Sequence, residues 1–242
     1  MAERATGTHL QAEEPSHRQL FETRLHARPD DERTRLAATA SEPELSALCF
    51  DPVPAVVRSL LQNPRTGLAQ ARLIAANHLN PIGLEALAAR VPFLRDGDVQ
   101  RLLLRNSQTP DTVVRRLLAG RRLADVFAAL RSHEIPERHR QTARRALVGR
   151  FASAPPEERV ELILSTEGRV LGALTGVALD GRSAALLCAR SVSSTLLIEN
   201  LAHWPATPPS VIAHLLKQPL VRHAPTLRLL LSRHPNCPRS VP

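Results

Sequence analysis

Proline is the feature that most constrains how this chain can fold. Twenty prolines are spread over 242 residues, and after about residue 18 they separate segments of about 10–20 residues that are rich in leucine and alanine. Proline is tolerated in the first turn of a helix and breaks a helix when it lies in the interior. We therefore interpret the prolines as helix starts and the segments between them as short helices.

Apolar spacing and composition both favour helices. In PAVVRSLLQN, residues 54–63, the residues Val56, Val57, Leu60 and Leu61 form one stripe along a helix. Aromatic residues make up only 2% of the chain, so the core must consist of leucine, alanine and valine. Leucine and alanine are strong helix formers, whereas sandwiches and barrels depend on β-branched and aromatic residues. The sequence predicts an all-α fold of about a dozen short helices.

One phrase recurs along the chain. RNSQTPDTVVRRLL at 105–118 aligns with HWPATPPSVIAHLL at 203–216, so that Thr109-Pro110 matches Thr207-Pro208, and RHPNCPRSV near the end begins the phrase again. The threonines are predicted to cap helices with their hydroxyls, and the prolines to occupy the first helical position. Short amphipathic helices are marginal alone and bury their stripes against neighbours. The recurrence therefore predicts a stacked, repeated unit.

These residues resemble the leucine-rich repeat variant family and its HEAT-like relatives. The resemblance covers about residues 50–120 and 195–242, while residues 121–194 are helical by pattern but lack the phrase. It implies an α-solenoid, a right-handed stack of short helices that usually serves as a binding surface, and it carries over no catalytic residues. The spacing is irregular, so a compact irregular helical domain remains the alternative. The segments that resemble the family are DPVPAVVRSLL at 51–61, QNPRTGLAQARLIAANHLNPIGLEALA at 62–88, RNSQTPDTVVRRLL at 105–118, ENLAHWPATPPSVIAHLL at 199–216 and SRHPNCPRSV at 232–241.

The chain is expected to be one folded domain with a short tail. Residues 1–18 are polar and mixed in charge, which predicts a disordered segment before a single α-helical repeat domain over 19–242. There is no apolar run at the N-terminus and none long enough to span a bilayer. The three cysteines are far apart and form no C-x-x-C pair, which indicates reduced thiols. We expect a cytoplasmic protein without a cofactor.

Positive charge is concentrated in one segment. The formal net charge is +9, and residues 101–150 contain twelve arginines against four acidic residues. Such a cluster favours an acidic protein partner, or a nucleic acid bound through its backbone because few aromatic residues are present to stack on bases. The alternative is a solvated face on which Glu137 partly neutralises Arg140 or Arg144. The candidate partner-binding residues are Arg115, Arg116, Arg121, Arg122, Arg140, Arg144, Arg145 and Trp204.

Two other features have competing interpretations. Trp204, the only tryptophan, either anchors a partner or joins one repeat to the next. His203 and His234 occupy adjacent places in the repeated phrase, and we interpret them as hydrogen-bonding residues between repeats rather than zinc ligands. His133 and His139 are six residues apart with Pro136 between them, so they do not form the i, i+4 histidine pair of a zinc protease.

The sequence favours binding over catalysis. It contains no G-x-S-x-G motif and no phosphate-binding loop. We expect a non-catalytic scaffold or adaptor that holds a protein partner through a concave or arginine-rich face. The alternatives are a nucleic-acid-binding protein and, third, a HEAT-like DNA glycosylase of the alkylpurine type. The basic face of such enzymes fits the arginines of this chain, whereas the aromatic residues that they use are nearly absent from it. An incomplete phrase at 232–241 leaves Leu227, Leu229 and Leu230 without a cap, which predicts self-association or a partner at that edge.

Overall fold

The computed structural model describes residues 16–238, and the only regular secondary structure in this part of the chain is helical. Within it there are seventeen α-helices and no strand, which confirms the all-α prediction. No helix in this range is long and apolar enough to cross a membrane. The chain forms two compact units, unit 1 (Met1–Val113) and unit 2 (Val114–Pro242), whereas the sequence predicted a single domain over 19–242. The division falls inside a helix of the repeated phrase, so no linker composition marks it.

The helices are mostly short. In unit 1 they are α1 His17–Leu20, α2 Asp30–Thr39, α3 Glu44–Ala47, α4 Pro54–Leu60, α5 Leu68–Asn77, α6 Pro81–Ala89, α7 Val91–Leu94 and α8 Gly97–Arg105. The next helix, α9 Asp111–Ala119, contains the division between the two units. In unit 2 they are α10 Leu123–Arg131, α11 Glu137–Ser153, α12 Pro156–Ser165, α13 Gly181–Cys188, α14 Thr195–His203, α15 Pro209–Leu216, α16 Pro219–Arg222 and α17 Pro225–Ser232. A π-helical turn spans Phe21–Leu25, and 3₁₀ turns span Leu48–Phe50 and Arg169–Ala173.

The first helix begins inside the segment that was expected to be disordered. Of residues 1–18, residues 1–15 lie outside the described part of the chain. Ser16 caps α1, because its hydroxyl accepts from the amide of Gln19 while the Gln19 side chain accepts from the amide of Ser16. This reciprocal pair satisfies two amide groups that a helix start otherwise leaves without partners. Residues 17 and 18 are therefore helical.

Proline occupies the first turn of many helices, as the sequence predicted. Seven α-helices have proline at the first or second position: α4, α6, α7, α12, α15, α16 and α17. Proline there loses no hydrogen bond, because the first amides of a helix have no intrahelical acceptor. The proline pattern therefore located helix starts through most of the chain.

The threonines of the repeated phrase bond to the preceding helix, a contact that the sequence did not predict. The hydroxyls of Thr109 and Thr207 donate to the carbonyls of Leu103 and Leu201, each at 2.6 Å, and both threonines are fully buried. At α15 the predicted threonine cap is wrong, because Pro208, not Thr207, is the N-cap. The last carbonyls of a helix have no intrahelical donor, so a buried hydroxyl six residues later satisfies one of them.

Two asparagines, Asn63 after α4 and Asn106 after α8, connect to the end of an earlier helix. Asn63 is buried, and its side-chain amide donates to the carbonyls of Ala37 at 3.0 Å and Ala40 at 2.9 Å, at the end of α2. Asn106 donates in the same way to Ala75 and His78, at the end of α5. We call this arrangement a carbonyl tie: a side chain that satisfies main-chain carbonyls at or near a helix end 23–33 residues earlier.

Unit 2 contains carbonyl ties made by other residue types as well. Arg150 donates to the carbonyls of Leu118 and Arg121, and Asn200 donates to the carbonyl of Glu167 at 2.8 Å. Asn236 donates to the carbonyls of Pro205 and Thr207, and the imidazole of His234 contacts the carbonyl of Trp204 at 2.9 Å. The interpretation of His234 as a hydrogen-bonding residue between repeated segments agrees with this contact.

Helices within each unit pack against partners beyond their chain neighbours. In unit 1, α4 packs against both α2 and α6, and α5 packs against both α3 and α8. In unit 2, α12 packs against α10 and α13, α15 packs against α13 and α17, and α14 packs against α17 and the 3₁₀ turn. Buried leucine, valine and alanine dominate these contacts, as the scarcity of aromatic residues predicted.

A buried ion pair organises the start of the DPVP segment in unit 1. The guanidinium of Arg33 on α2 contacts the carboxylate of Asp51 at 2.6 Å, with side-chain exposures of 5% and 0%. Asp51 also accepts from the amide of Val53 at 2.9 Å, and Arg33 donates to the carbonyls of His26 and Arg28. Both charges therefore have several polar partners, which compensates for their removal from water.

His78 extends this network and packs against a glycine. Its Nδ1 lies 3.0 Å from the carbonyl oxygen of Asp51, its Nε2 has no partner, and burial lowers its pKa, which favours the neutral ring. Gly83 on α6 lies so close that a Cβ there would come within 2.0 Å of His78 Nε2. The absence of a side chain at residue 83 therefore allows α6 to approach the ring.

Replacement of Gly83 by alanine is expected to destabilise unit 1 by about 1–3 kcal/mol, because the added methyl group forces His78 or α6 to shift. Urea denaturation followed by circular dichroism measures the change. Gly97→Ala is the matched control, since a Cβ at Gly97 meets no atom within 4 Å. Equal stability of the two variants would contradict the close packing at Gly83.

Candidate functional site

The first four predicted arginines lie on and just after α9. Arg115 and Arg116 are exposed, on the side of α9 opposite the buried Val114 and Leu118. The carbonyl of Arg121 accepts from Arg150, as described above. Arg122 precedes α10 and lines a depression that also contains two glutamates, Glu158 and Glu161.

The other three predicted arginines lie on α11 and have different surroundings. Arg140 contacts Glu137 at 2.5 Å, which is the partial neutralisation that the sequence suggested as an alternative. Arg144 donates to the carbonyl of Gly172 at 3.1 Å. Arg145 is exposed. The predicted set therefore does not share one environment, and Arg144 lies beside two further arginines in a depression.

We call that depression the arginine depression; it has a volume of about 480 Å³. Three guanidinium side chains line it, from Arg131 on α10, Arg144 on α11 and Arg169 on the 3₁₀ turn. The guanidinium of Arg131 lies over the ring of Phe127, 5.9 Å from its centroid, which holds the side chain by a cation–π contact. Neither Arg131 nor Arg144 forms an ion pair with a carboxylate among residues 16–238. The charges of Arg131 and Arg144 are therefore not offset directly by a side chain of the described region, whereas Arg169 pairs with Glu167.

Sequence reasoning did not select Arg131 and Arg169. Arg131 lies inside the 101–150 cluster but was not distinguished from its neighbours, and Arg169 lies outside the cluster altogether. The three arginines are 13 and 25 residues apart in the chain and come from three elements. No spacing rule for a single helix groups them, so only the packing of α10, α11 and the 3₁₀ turn brings them together.

An apolar depression adjoins the arginine depression. It has a volume of about 590 Å³ and is lined mainly by apolar groups, among them Leu171, Trp204, Pro205 and Ala206. The two depressions share part of their lining, because Gly172 and Asn200 line both of them. We call the two depressions together the two-part groove.

Trp204 lies in this groove mostly as a packed residue. It is only 6% exposed, and its carbonyl accepts from His234 in a carbonyl tie. These contacts agree with the interpretation of Trp204 as a residue that joins repeats. Its ring can still form part of the apolar floor, because Trp204 is among the residues that line the depression.

A left-handed turn fixes the rim of the arginine depression. Glu167 and Gly168 both have positive φ, 49° and 75°, and a Cβ at Gly168 would come within 2.7 Å of Asn200. The Glu167 carboxylate contacts Arg169 at 3.0 Å and accepts from the Ser194 hydroxyl at 2.9 Å. Glu167 therefore holds Arg169 in place and partly offsets its charge.

Candidate nucleophiles and metal ligands have little support in the described residues. Burial raises the pKa of the Cys49 thiol to about 12 and also raises that of Cys188, so both thiols are held in the protonated, weakly nucleophilic form. From residue 16 to residue 238, no three histidine, cysteine or acidic side chains come together as a metal site would require. His203 contacts the carbonyl of Glu199 within its own helix.

The C-terminal edge has one exposed apolar side chain among the three that the sequence indicated. Leu229 is 51% exposed, whereas Leu227 is buried and Leu230 is half-buried. The predicted self-association at this edge has no further support in these positions.

Comparisons with protein-family models, with curated proteins and with solved structures give no match for this chain.

Proposed function

We propose that this chain is a non-catalytic scaffold or adaptor that holds an acidic protein partner. We further propose that its helices form a degenerate α-solenoid of the HEAT-like or leucine-rich repeat variant type. Helix packing beyond chain neighbours and the recurrent carbonyl ties support the repeat interpretation. The three unpaired thiols support a cytoplasmic location.

The observation that carries the proposal is the arginine depression. Three guanidinium groups line one shallow, open depression, and arginine binds carboxylates through two parallel hydrogen bonds. A surface with charge of one sign raises the local concentration of ligands of the opposite sign. An acidic segment of a partner satisfies both the charge and the donor groups of this surface.

A nucleic-acid partner is the second candidate, and the net charge of +9 favours it. Exposed arginines outside the arginine depression, such as Arg115 and Arg145, would contribute to backbone contacts of this kind. Binding of this type depends on total charge rather than on one depression, so position-specific variants separate the two candidates.

Replacement of Arg144 by glutamate is expected to weaken binding of a labelled polyglutamate peptide by about tenfold or more, because the depression loses one guanidinium and gains a carboxylate. Arg145→Glu is the matched control: it makes the same charge change on the next residue of α11, outside the depression. Fluorescence anisotropy at about 50 and 200 mM salt measures both affinities.

Two outcomes would contradict the proposal. Equal losses in both variants would show that only total charge matters. Tighter binding of labelled DNA or RNA than of polyglutamate, reduced equally by both variants, would instead favour the nucleic-acid candidate.

A further inference from the structure

We infer that the two-part groove binds a peptide segment in which acidic residues are followed or preceded, a few residues away, by a bulky apolar side chain. This inference rests on the proposed function and specifies the partner that the same site takes. It assigns the acidic residues to the arginine depression and the apolar side chain to the depression beside it.

The arginine depression supplies the polar half of the recognition. Arg131 is held over Phe127 and Arg144 is held by the Gly172 carbonyl, so both guanidinium groups are positioned before a ligand arrives. Ordered side chains lose less conformational freedom when they bind, which makes their hydrogen bonds more effective. Arg169 lies at the rim, where Glu167 orients it while leaving it 50% exposed.

The apolar depression supplies the second half. Leu171, Trp204 and Ala206 contribute to its lining, and no arginine, lysine, aspartate or glutamate belongs to that lining. A charged ligand alone would leave this surface in contact with water, whereas an apolar side chain of the ligand would bury it. Apolar pockets with a few polar groups at one end are typical of sites that bind side chains selectively.

The junction between the halves suits a peptide. Gly172 and Asn200 line both depressions, and a Cβ at Gly172 would meet no atom within 4 Å. The Asn200 side-chain amide donates to the Glu167 carbonyl, which leaves its oxygen to accept from a peptide N–H group. A main chain can therefore cross the junction with its side chains in the two depressions.

A nucleic acid fits this groove less well. Binding of single strands depends on aromatic faces on which bases stack. Two aromatic rings line the apolar depression, the indole of Trp204, which is only 6% exposed, and the imidazole of His203. The shortage of aromatic faces in the lining favours a peptide over a single strand of nucleic acid.

The test uses the full chain and an array of synthetic peptides. Each peptide has a block of glutamates, a spacer of about one to five residues, which reaches up to about 18 Å when extended, and one guest residue. The guest is leucine, phenylalanine or serine. We expect leucine or phenylalanine to raise affinity over serine by about tenfold at one or two spacings, because only those guests fill the apolar depression.

A substitution at the junction provides the second measurement. Gly172→Leu places a side chain where the two depressions meet, and it is expected to remove the preference for an apolar guest. Gly149→Leu is the matched control, because a Cβ at Gly149 also meets no atom within 4 Å and Gly149 lies outside the groove. Circular dichroism checks that both variants are folded, and the comparison of guests on the unsubstituted chain does not depend on either variant.

The outcomes separate this inference from the proposed function. Binding that depends on Arg144 but shows no guest preference at any spacing would overturn the inference and leave the acidic-partner proposal intact. No binding of any peptide would overturn both. A second series of peptides, in which phosphoserine replaces glutamate, tests whether the arginine depression also binds phosphate. If both series show the same preference for an apolar guest, the two-part groove accepts either anion.

Discussion

Replacement of Arg33 by methionine is expected to lower the free energy of unfolding of unit 1 by about 3–5 kcal/mol, the range found when one partner of a buried ion pair is removed. Asp51 has a fully buried carboxylate, and Arg33 is its charged partner at 2.6 Å. Without Arg33 the carboxylate keeps the amide of Val53 but loses its counter-charge. The carbonyls of His26 and Arg28 lose a donor at the same time.

Urea denaturation measures this effect. Far-UV circular dichroism follows both units, and fluorescence of Trp204, the only tryptophan, reports on unit 2. Arg35→Met is the matched control, because Arg35 is an exposed neighbour on α2. Adding Asp51→Asn to Arg33→Met should restore part of the loss, since both charges are then absent. A loss below about 1 kcal/mol, or no recovery in the double variant, would show that the pair is not the main cause.

The second large effect is expected at a carbonyl tie. Asn63→Ala should destabilise unit 1 by about 2–4 kcal/mol, because the carbonyls of Ala37 and Ala40 lose their donor and the amide of Arg65 loses its acceptor. Asn63 is only 4% exposed, so water can replace these bonds only if the helix ends separate.

Hydrogen exchange measured by mass spectrometry locates this effect. Amides near the end of α2 and the start of the turn after α4 should exchange faster in Asn63→Ala than in the control Gln62→Ala, whose side chain is exposed. If exchange rises equally along the whole of unit 1 in both variants, the tie has no special role in joining these helices.

The sequence was sufficient to predict the helices but not which groups each helix contacts. Prolines at helix starts and the apolar stripe of α4 are local signals, so the all-α class and many helix starts could be predicted. The bonds that Thr109 and Thr207 donate to the preceding helix could not be predicted, because the local rule for threonine before proline concerns the next helix, and the unsatisfied carbonyl of the preceding helix is visible only in three dimensions.

The candidate site was predicted only in part for the same reason. Charge density along the chain selected Arg144 and Arg145 alike, although of these two residues Arg144 is the one that lines the arginine depression. Arg169 belongs to a different segment and joins the site through the turn at Glu167 and Gly168, whose positive φ angles no charge pattern indicates. Local charge therefore suggested a binding surface, and packing determined its composition.

The carbonyl ties have a consequence for how such a chain can change. Each carbonyl tie needs a donor side chain of a particular residue type, whereas the acceptor is a main-chain oxygen that every residue possesses. The acceptors here belong to alanine, histidine, leucine, arginine, glutamate, tryptophan, proline and threonine. The residues at these helix ends can therefore change without loss of the joint, because every residue type keeps the main-chain oxygen. Each donor, in contrast, is fixed by its side chain.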